Sequence, residues 1–201
     1  MRVIGGTAKG RRLRSPKGHF LRPTADRVKE ALFNILPHDL SGLKVLDLFA
    51  GTGNLTIEAL SRGAQEACLV DASRRAGTTI HENLQALGFS QKSRVRVGPV
   101  LRTIHLLARR GENFDLIFVD PPYEKGWIEG ALRTIAREGL LREGGVLVAE
   151  HSGREEVKES YGPLSLCDQR RYGRTVLSFF SVMGKIGLLR EGNRKPWRGL
   201  V

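Results

Sequence analysis

The sequence predicts an α/β fold in which a mostly parallel sheet is covered by helices on both faces. Three observations carry this reading. From Leu43 onward, apolar β-type runs alternate with helix-period stretches. The first of these runs passes directly into a glycine-bearing turn, Gly51-Thr52-Gly53, and then into a helical pattern. The last two strand-like runs, 164–171 and 175–182, are separated only by Tyr172-Gly173-Arg174, too short for a helix, and so form an antiparallel hairpin that closes the sheet.

The remaining strands fall at 44–49, 67–71, 94–97, 114–120 and 146–150, giving a seven-stranded sheet. Helices are expected at about 54–62, 74–87, 101–109 and 127–138. A further helix starts at Pro23, with Thr24 as N-cap and Asp26 in its first turn. Val28, Ala31, Leu32, Ile35 and Leu36 recur at helical spacing until Pro37 stops the pattern. The first twenty residues read as two short basic segments around a Gly-rich turn, a β-hairpin or arm. The expected organisation is therefore a basic arm over 1–22, a catalytic domain over 23–183 and a basic flexible tail over 184–201.

The chain has 201 residues and a hydrophobic fraction of 40%, enough for one domain with a substantial core. No apolar run reaches the roughly eighteen residues of a membrane span, and Arg2-Val3-Ile4-Gly5-Gly6 is no signal-peptide core. A cytoplasmic, membrane-free protein, most simply a monomer, is expected. Lys and Arg number 33 against 21 acids, a net charge of +12, with the basic residues gathered at the two ends. That balance favours a polyanionic partner, nucleic acid foremost. The two cysteines, Cys68 and Cys167, share no metal-like spacing with the five histidines, so no metal is expected.

The run Asp47-Leu48-Phe49-Ala50-Gly51-Thr52-Gly53-Asn54 joins strand, tight turn and helix start, and its glycines let a nucleotide-like ligand approach the backbone. Thr56 occupies the place of the third glycine in the dinucleotide fingerprint, which counts against a pyrophosphate cofactor and a dehydrogenase. Asp47 instead suits a cationic amino-acid moiety, and Asp71, at the end of the next strand, can hold both hydroxyls of a ribose. These features fit S-adenosylmethionine.

The strand 114–120 runs into Asp120-Pro121-Pro122-Tyr123, outside the carboxyl end of the sheet where open α/β folds bind ligands. Two prolines donate no N–H, leaving the Asp120 and Pro121 carbonyls as pure acceptors. An acceptor cluster suits an amino group. The Asp120 carboxylate and Pro121 carbonyl are expected to accept the two N–H bonds of an exocyclic base amine and align its nitrogen for methyl transfer. Tyr123 is expected to stack on the extruded base.

Together with Arg2-Val3-Ile4-Gly5-Gly6, Lys9-Gly10-Arg11-Arg12-Leu13, the block from Arg22-Pro23-Thr24 to Leu36, and Glu58-Ala59-Leu60-Ser61-Arg62-Gly63-Ala64, these motifs resemble the RsmD family over nearly the whole chain. The resemblance implies a Rossmann-like class I methyltransferase that modifies the exocyclic amine of a guanine in small-subunit ribosomal RNA, presented within an assembling particle. It also implies RNA contacts from Lys9, Arg11, Arg12, Arg14, Arg22 and Arg27, and completes the expected cofactor set with Thr24 from the first helix, Ala72, and Pro99 and Val100 after the third strand. The chain departs from the family pattern in three places: Thr52 and Asn54 in the cofactor turn, Asp71 in place of a glutamate, and Gly98-Pro99-Val100 where Gly-Asp-Ala is usual. Any adenine contact from that aspartate is missing or replaced. A DNA base amino-methyltransferase would share the reaction motif, but 201 residues leave little room for a target-recognition insert. A catalytically impaired RNA-binding protein is the other reading, raised by Pro99.

Overall fold

The structure is a computed structural model that describes residues 1–15 and 23–182. The predicted tail and Arg22 lie outside the described residues, as does the Thr24 side chain.

Helix α1 (Pro23–Ile35) precedes a regular alternation: β1 (Lys44–Leu48), α2 (Asn54–Ser61), β2 (Glu66–Asp71), α3 (Arg74–Ala86), β3 (Ser93–Val97), α4 (Val100–Arg109), β4 (Phe114–Val119), α5 (Trp127–Glu138) and β5 (Leu141–Ser152). Three antiparallel strands follow, β6 (Ser160–Tyr161), β7 (Leu164–Tyr172) and β8 (Thr175–Val182). The sheet order is β3-β2-β1-β4-β5-β8-β7-β6, parallel from β3 to β5. The seven anticipated strands are joined by an eighth, β6, a two-residue edge strand too short to show periodicity in sequence.

Strand side chains alternate between two apolar layers. Val45, Leu69, Phe118, Val148 and Phe179 face α1, α2 and α3 through Leu32, Phe33, Ile57, Leu60 and Ile80. Leu46, Val70, Ile117, Val119 and Leu147 face α4 and α5 through Ile104, Leu107, Leu132 and Ile135. Both faces being covered explains why β1, β2 and β4 read as nearly continuous apolar runs. Among the described residues no helix is long and apolar enough to cross a membrane.

β5 begins five residues before the expected 146. Between Phe114↔Leu141 and Leu116↔Val146 the register shifts, so Arg142 to Gly145 form a bulge ahead of the expected strand start. A Cβ on Gly145 would lie 2.7 Å from the Asp115 carbonyl oxygen, so the strands approach there only because the side chain is missing.

The N-terminal segment forms a short antiparallel hairpin around the bridge Arg2↔Arg12, with Val3 N–H donating to the Arg11 carbonyl (2.9 Å), Gly10 N–H to the Val3 carbonyl (2.9 Å) and Leu13 N–H to the Met1 carbonyl (3.2 Å). Its other backbone groups reach the helices. Ile4 N–H donates to Glu58 Oε2 (2.8 Å), Thr7 N–H to the Ser61 carbonyl (2.7 Å), Ala8 N–H to Ser61 Oγ (2.9 Å) and Arg14 N–H to Asn83 Oδ1 (2.8 Å). The hairpin is thus paired with itself and also laced onto α2 and α3. Gly6, at φ 72, passes so near α2 that a Cβ would sit 1.8 Å from the Ser61 carbonyl oxygen.

A buried ionic knot fastens α1 into this arrangement. Lys29 is 1% exposed, and its Nζ donates to the Arg2 carbonyl (2.6 Å) and to Asn54 Oδ1 (2.8 Å) while lying 3.5 Å from Glu58 Oε2. Glu58 also accepts from Arg62 Nε (2.9 Å), whose guanidinium carbon lies 4.8 Å from the Phe33 ring centroid. Burial lowers the Lys29 pKa, and the Glu58 charge opposes that loss. Removing one member strands the others without water. Lys29→Ala is therefore expected to cost about 3 to 5 kcal/mol in urea unfolding, and a loss under about 1 kcal/mol would contradict the knot's role.

Candidate active site

β1 sits where the strand order reverses, with β2 and β3 on one side and β4 and β5 on the other, so its carboxyl end opens onto a crevice. A cavity of about 930 Å³ occupies that position. Of the residues expected to hold a cofactor, Phe49, Gly51, Asp71, Ala72, Pro99 and Val100 line it. All four members of the Asp120 to Tyr123 motif line it as well.

The turn after β1 is tightly wound. Phe49 has φ 67, unusual for a side-chain-bearing residue, and Gly51 and Gly53 are also left-handed at φ 58 and 77. Gly51 N–H donates to Asp71 Oδ2 and Ser73 N–H to Asp71 Oδ1, each at 2.8 Å. Both carboxylate oxygens are aimed by the backbone and still have lone pairs to accept a vicinal diol.

Four expected cofactor residues shape the pocket without lining it. Ala50 is buried, its N–H bonded to the Val70 carbonyl at 2.9 Å. Gly53 packs inward, where a Cβ would meet Leu69 at 3.2 Å. Asn54 is engaged by Lys29. Asp47 lies beneath the turn, 2% exposed, with Oδ2 accepting from Thr56 Oγ1 at 2.7 Å. In sequence Thr56 counts only against a dinucleotide; in the structure its hydroxyl is the partner of a buried acid.

Sequence reading missed Ser73, Leu101 and Trp127 in the cavity wall. Trp127 is the first residue of α5 and remains 44% exposed, its ring centroid 6.3 Å from that of Phe49 at an interplanar angle of 56°. An aromatic residue four positions after Tyr123, at a helix start, is the signal that could have found it. Pro99, Val100 and Leu101 give the wall beside β3 an apolar character where a carboxylate would otherwise stand.

Glu150, at the carboxyl end of β5, is the other residue missed. Tyr123 Oη donates to Glu150 Oε1 at 2.7 Å and lies 3.1 Å from Thr175 Oγ1. With its hydroxyl so engaged, Tyr123 offers the cavity ring surface. Burial raises its pKa, as does the neighbouring Glu150 carboxylate.

The electrostatics follow from crowding acids into a dry place. Burial raises the Asp120 pKa well above the carboxylate range, reinforced by Glu150 and then Asp47. Burial likewise raises Glu150, opposed by the Tyr123 hydrogen bond. Asp47 is pushed up to about 7, again by burial first, with the Thr56 hydrogen bonds opposing.

Among the expected RNA contacts, Lys9, Arg11, Arg12, Arg14 and Arg27 are exposed. Arg14 pairs with Glu82 at 3.0 Å, and Arg11 donates to the Ala86 carbonyl at 3.0 Å, so part of the basic arm is held along α3.

An acid whose folded pKa lies above its unfolded value binds its proton more tightly when folded, so stability is lost as pH rises between the two values. For Asp47 that window runs from 3.8 to about 7. Unfolding free energy should fall across it, and Asp47→Asn should flatten the profile in chemical denaturation. A variant profile parallel to that of the wild type would contradict the assignment.

Comparison with known proteins places the chain in a family. Residues 1–181 match the family described as Conserved hypothetical protein 95. The chain is 39% identical over 184 residues to a putative rRNA methyltransferase, YlbH, of Bacillus subtilis, covering 92% of this chain and 100% of that one. It is 35% identical over 150 residues to ribosomal RNA small subunit methyltransferase D of Escherichia coli K12, covering 75% and 74%. The solved structure of the putative methyltransferase yhhF from Escherichia coli superposes with a TM-score of 0.80 at 31% identity, covering 92% and 98%. The sheet and these matches agree, and the chain belongs to the RsmD family of Rossmann-like methyltransferases.

Proposed function

We propose that the protein transfers a methyl group from S-adenosylmethionine to the exocyclic N2 of a guanine in small-subunit ribosomal RNA. The observation that carries this reading is the Asp120-Pro121-Pro122-Tyr123 turn opening into the same cavity as the backbone-aimed Asp71 carboxylate. The Escherichia coli relative, named for methylation of small-subunit ribosomal RNA, supports the choice of substrate.

Asp71 suits the ribose hydroxyls, and the apolar wall of Pro99, Val100 and Leu101 suits an adenine face in place of a carboxylate contact. Asp47 supplies negative potential beneath the turn for the cationic end of the cofactor. When bound, S-adenosylmethionine supplies an electrophilic methyl group on a sulfonium. Everything else falls to the chain. An aromatic amine is a weak nucleophile because its lone pair is delocalised into the ring. The Asp120 carboxylate and the Pro121 carbonyl accept its two N–H bonds, draw the nitrogen toward tetrahedral geometry and hold it in line, so positioning and electrostatics supply most of the rate. The Tyr123 ring stacks on the base, a contact worth about 1 to 3 kcal/mol.

Lys9, Arg11, Arg12 and Arg27 provide exposed positive charge for the RNA backbone. The protein acts as a monomer on an assembling small-subunit particle in the cytoplasm, with no metal.

Asp120→Ala should lower methyl transfer to small-subunit RNA by on the order of 100-fold or more. Calorimetric titration should find its binding of S-adenosylmethionine largely retained. Wild-type turnover in this variant would contradict the assignment of Asp120.

A further inference from the structure

Glu150 has no part in the mechanism so far, yet the fold sets it against the reaction centre. β4 and β5 run parallel and in register, with Phe118 opposite Val148 and Val119 opposite Ala149. One step further along each strand brings Asp120 level with Glu150. Side chains at matching positions of parallel neighbours point to the same face, so the two carboxylates project together toward the side packed by α1 to α3. Asp47 stands on that face as well, since it is opposite Phe118 on β1, two residues before the level of Asp120. Tyr123 reaches back over the motif to hold Glu150 Oε1 at 2.7 Å, and Thr175 on β8 steadies the same hydroxyl at 3.1 Å.

Amine methylation needs more than acceptors. As the nitrogen lone pair forms the N–C bond, the S–C bonding pair stays on sulfur and one N–H proton must leave. An isolated, solvated carboxylate is a feeble acceptor for it, because a general base works best with a pKa near the working pH. Resting on the guanine-methylation reading above, we infer that Glu150 is a positioning residue which, held by Tyr123 and level with Asp120, makes Asp120 the group that takes this proton.

The charges facing Asp120 are Glu150 from β5 and Asp47 from β1, with the Tyr123 phenol from the following loop. The Tyr123 hydrogen bond favours the charged form of Glu150. That bond offsets part of the burial that raises Glu150, whereas Asp120 has no such bond and faces two acids, so of the pair the proton is favoured on Asp120. The group that takes the amine's proton is built to hold one and returns it to solvent after product leaves.

The test is the pH dependence of kcat/KM for methyl transfer in Glu150→Gln, Glu150→Asp and Thr175→Ala. Glu150→Gln keeps the shape and removes the charge, so the acid limb should move down by about one pH unit while the plateau rate falls. Glu150→Asp keeps the charge and should leave the limb near its wild-type position, as should Thr175→Ala. A uniform loss of rate in Glu150→Gln with the limb unmoved overturns the proposal. In the free protein, 13C NMR of labelled aspartate, with Asp120 assigned by its absence in Asp120→Asn, should show its midpoint falling in Glu150→Gln. An unmoved midpoint overturns the proposal equally. Absence of guanine methylation by the wild-type protein would instead contradict the proposed function, and the free-protein titration would still decide the coupling of Asp120 to Glu150.

Discussion

The in-register parallel pairing of β1, β4 and β5 is the constraint from which the site follows. It puts Asp47, Asp120 and Glu150 on one face of the sheet, at or beside the carboxyl ends of the strands. Burial on that face, complete for Asp47 and partial for Asp120 and Glu150, pushes each carboxyl upward. Desolvating three like charges is costly, and no fold would collect them for stability alone. The local hydrogen bonds temper the cost: Thr56 serves Asp47, and Tyr123 serves Glu150. Asp120, the residue between them, is left to meet the substrate.

The N-terminal segment belongs to the same economy of backbone groups. It packs on α2 and α3 through hydrogen bonds to Glu58, Ser61 and Asn83, and Lys29 closes the knot from α1. Asn54 and Asn83 tie this knot to the cofactor turn, Asn54 by accepting from Lys29 and Asn83 by donating to the Thr52 carbonyl at 3.0 Å. The arm that carries Lys9, Arg11 and Arg12 is thus mechanically continuous with the turn that shapes the pocket.

Much of the fold was legible because buried parallel strands leave apolar runs, and the reaction motif was legible because its four residues are contiguous. What escaped the sequence depends on contacts between distant positions. Lys29 reads as one more charge on a helix face, since its partners, the Arg2 carbonyl, Asn54 and Glu58, are scattered. Glu150 is a lone carboxylate at a strand end until the register sets it beside Asp120, and its partner Tyr123 is 27 residues away. The start of β5 escaped because the bulge at Arg142 to Gly145 interrupts its periodicity. The basic arm reads as a hairpin and is one, but only the tertiary structure reveals that α2 and α3 take up its remaining amides.

The central claim is that this cavity methylates the exocyclic amine of a guanine in small-subunit ribosomal RNA. Its most direct test takes small subunits from cells lacking the protein, adds purified protein with methyl-labelled S-adenosylmethionine, and maps the label by nuclease digestion and mass spectrometry. The account predicts a single N2-methylguanosine in the small-subunit RNA. Label on another atom or on large-subunit RNA, or no transfer to any ribosomal substrate, would contradict it.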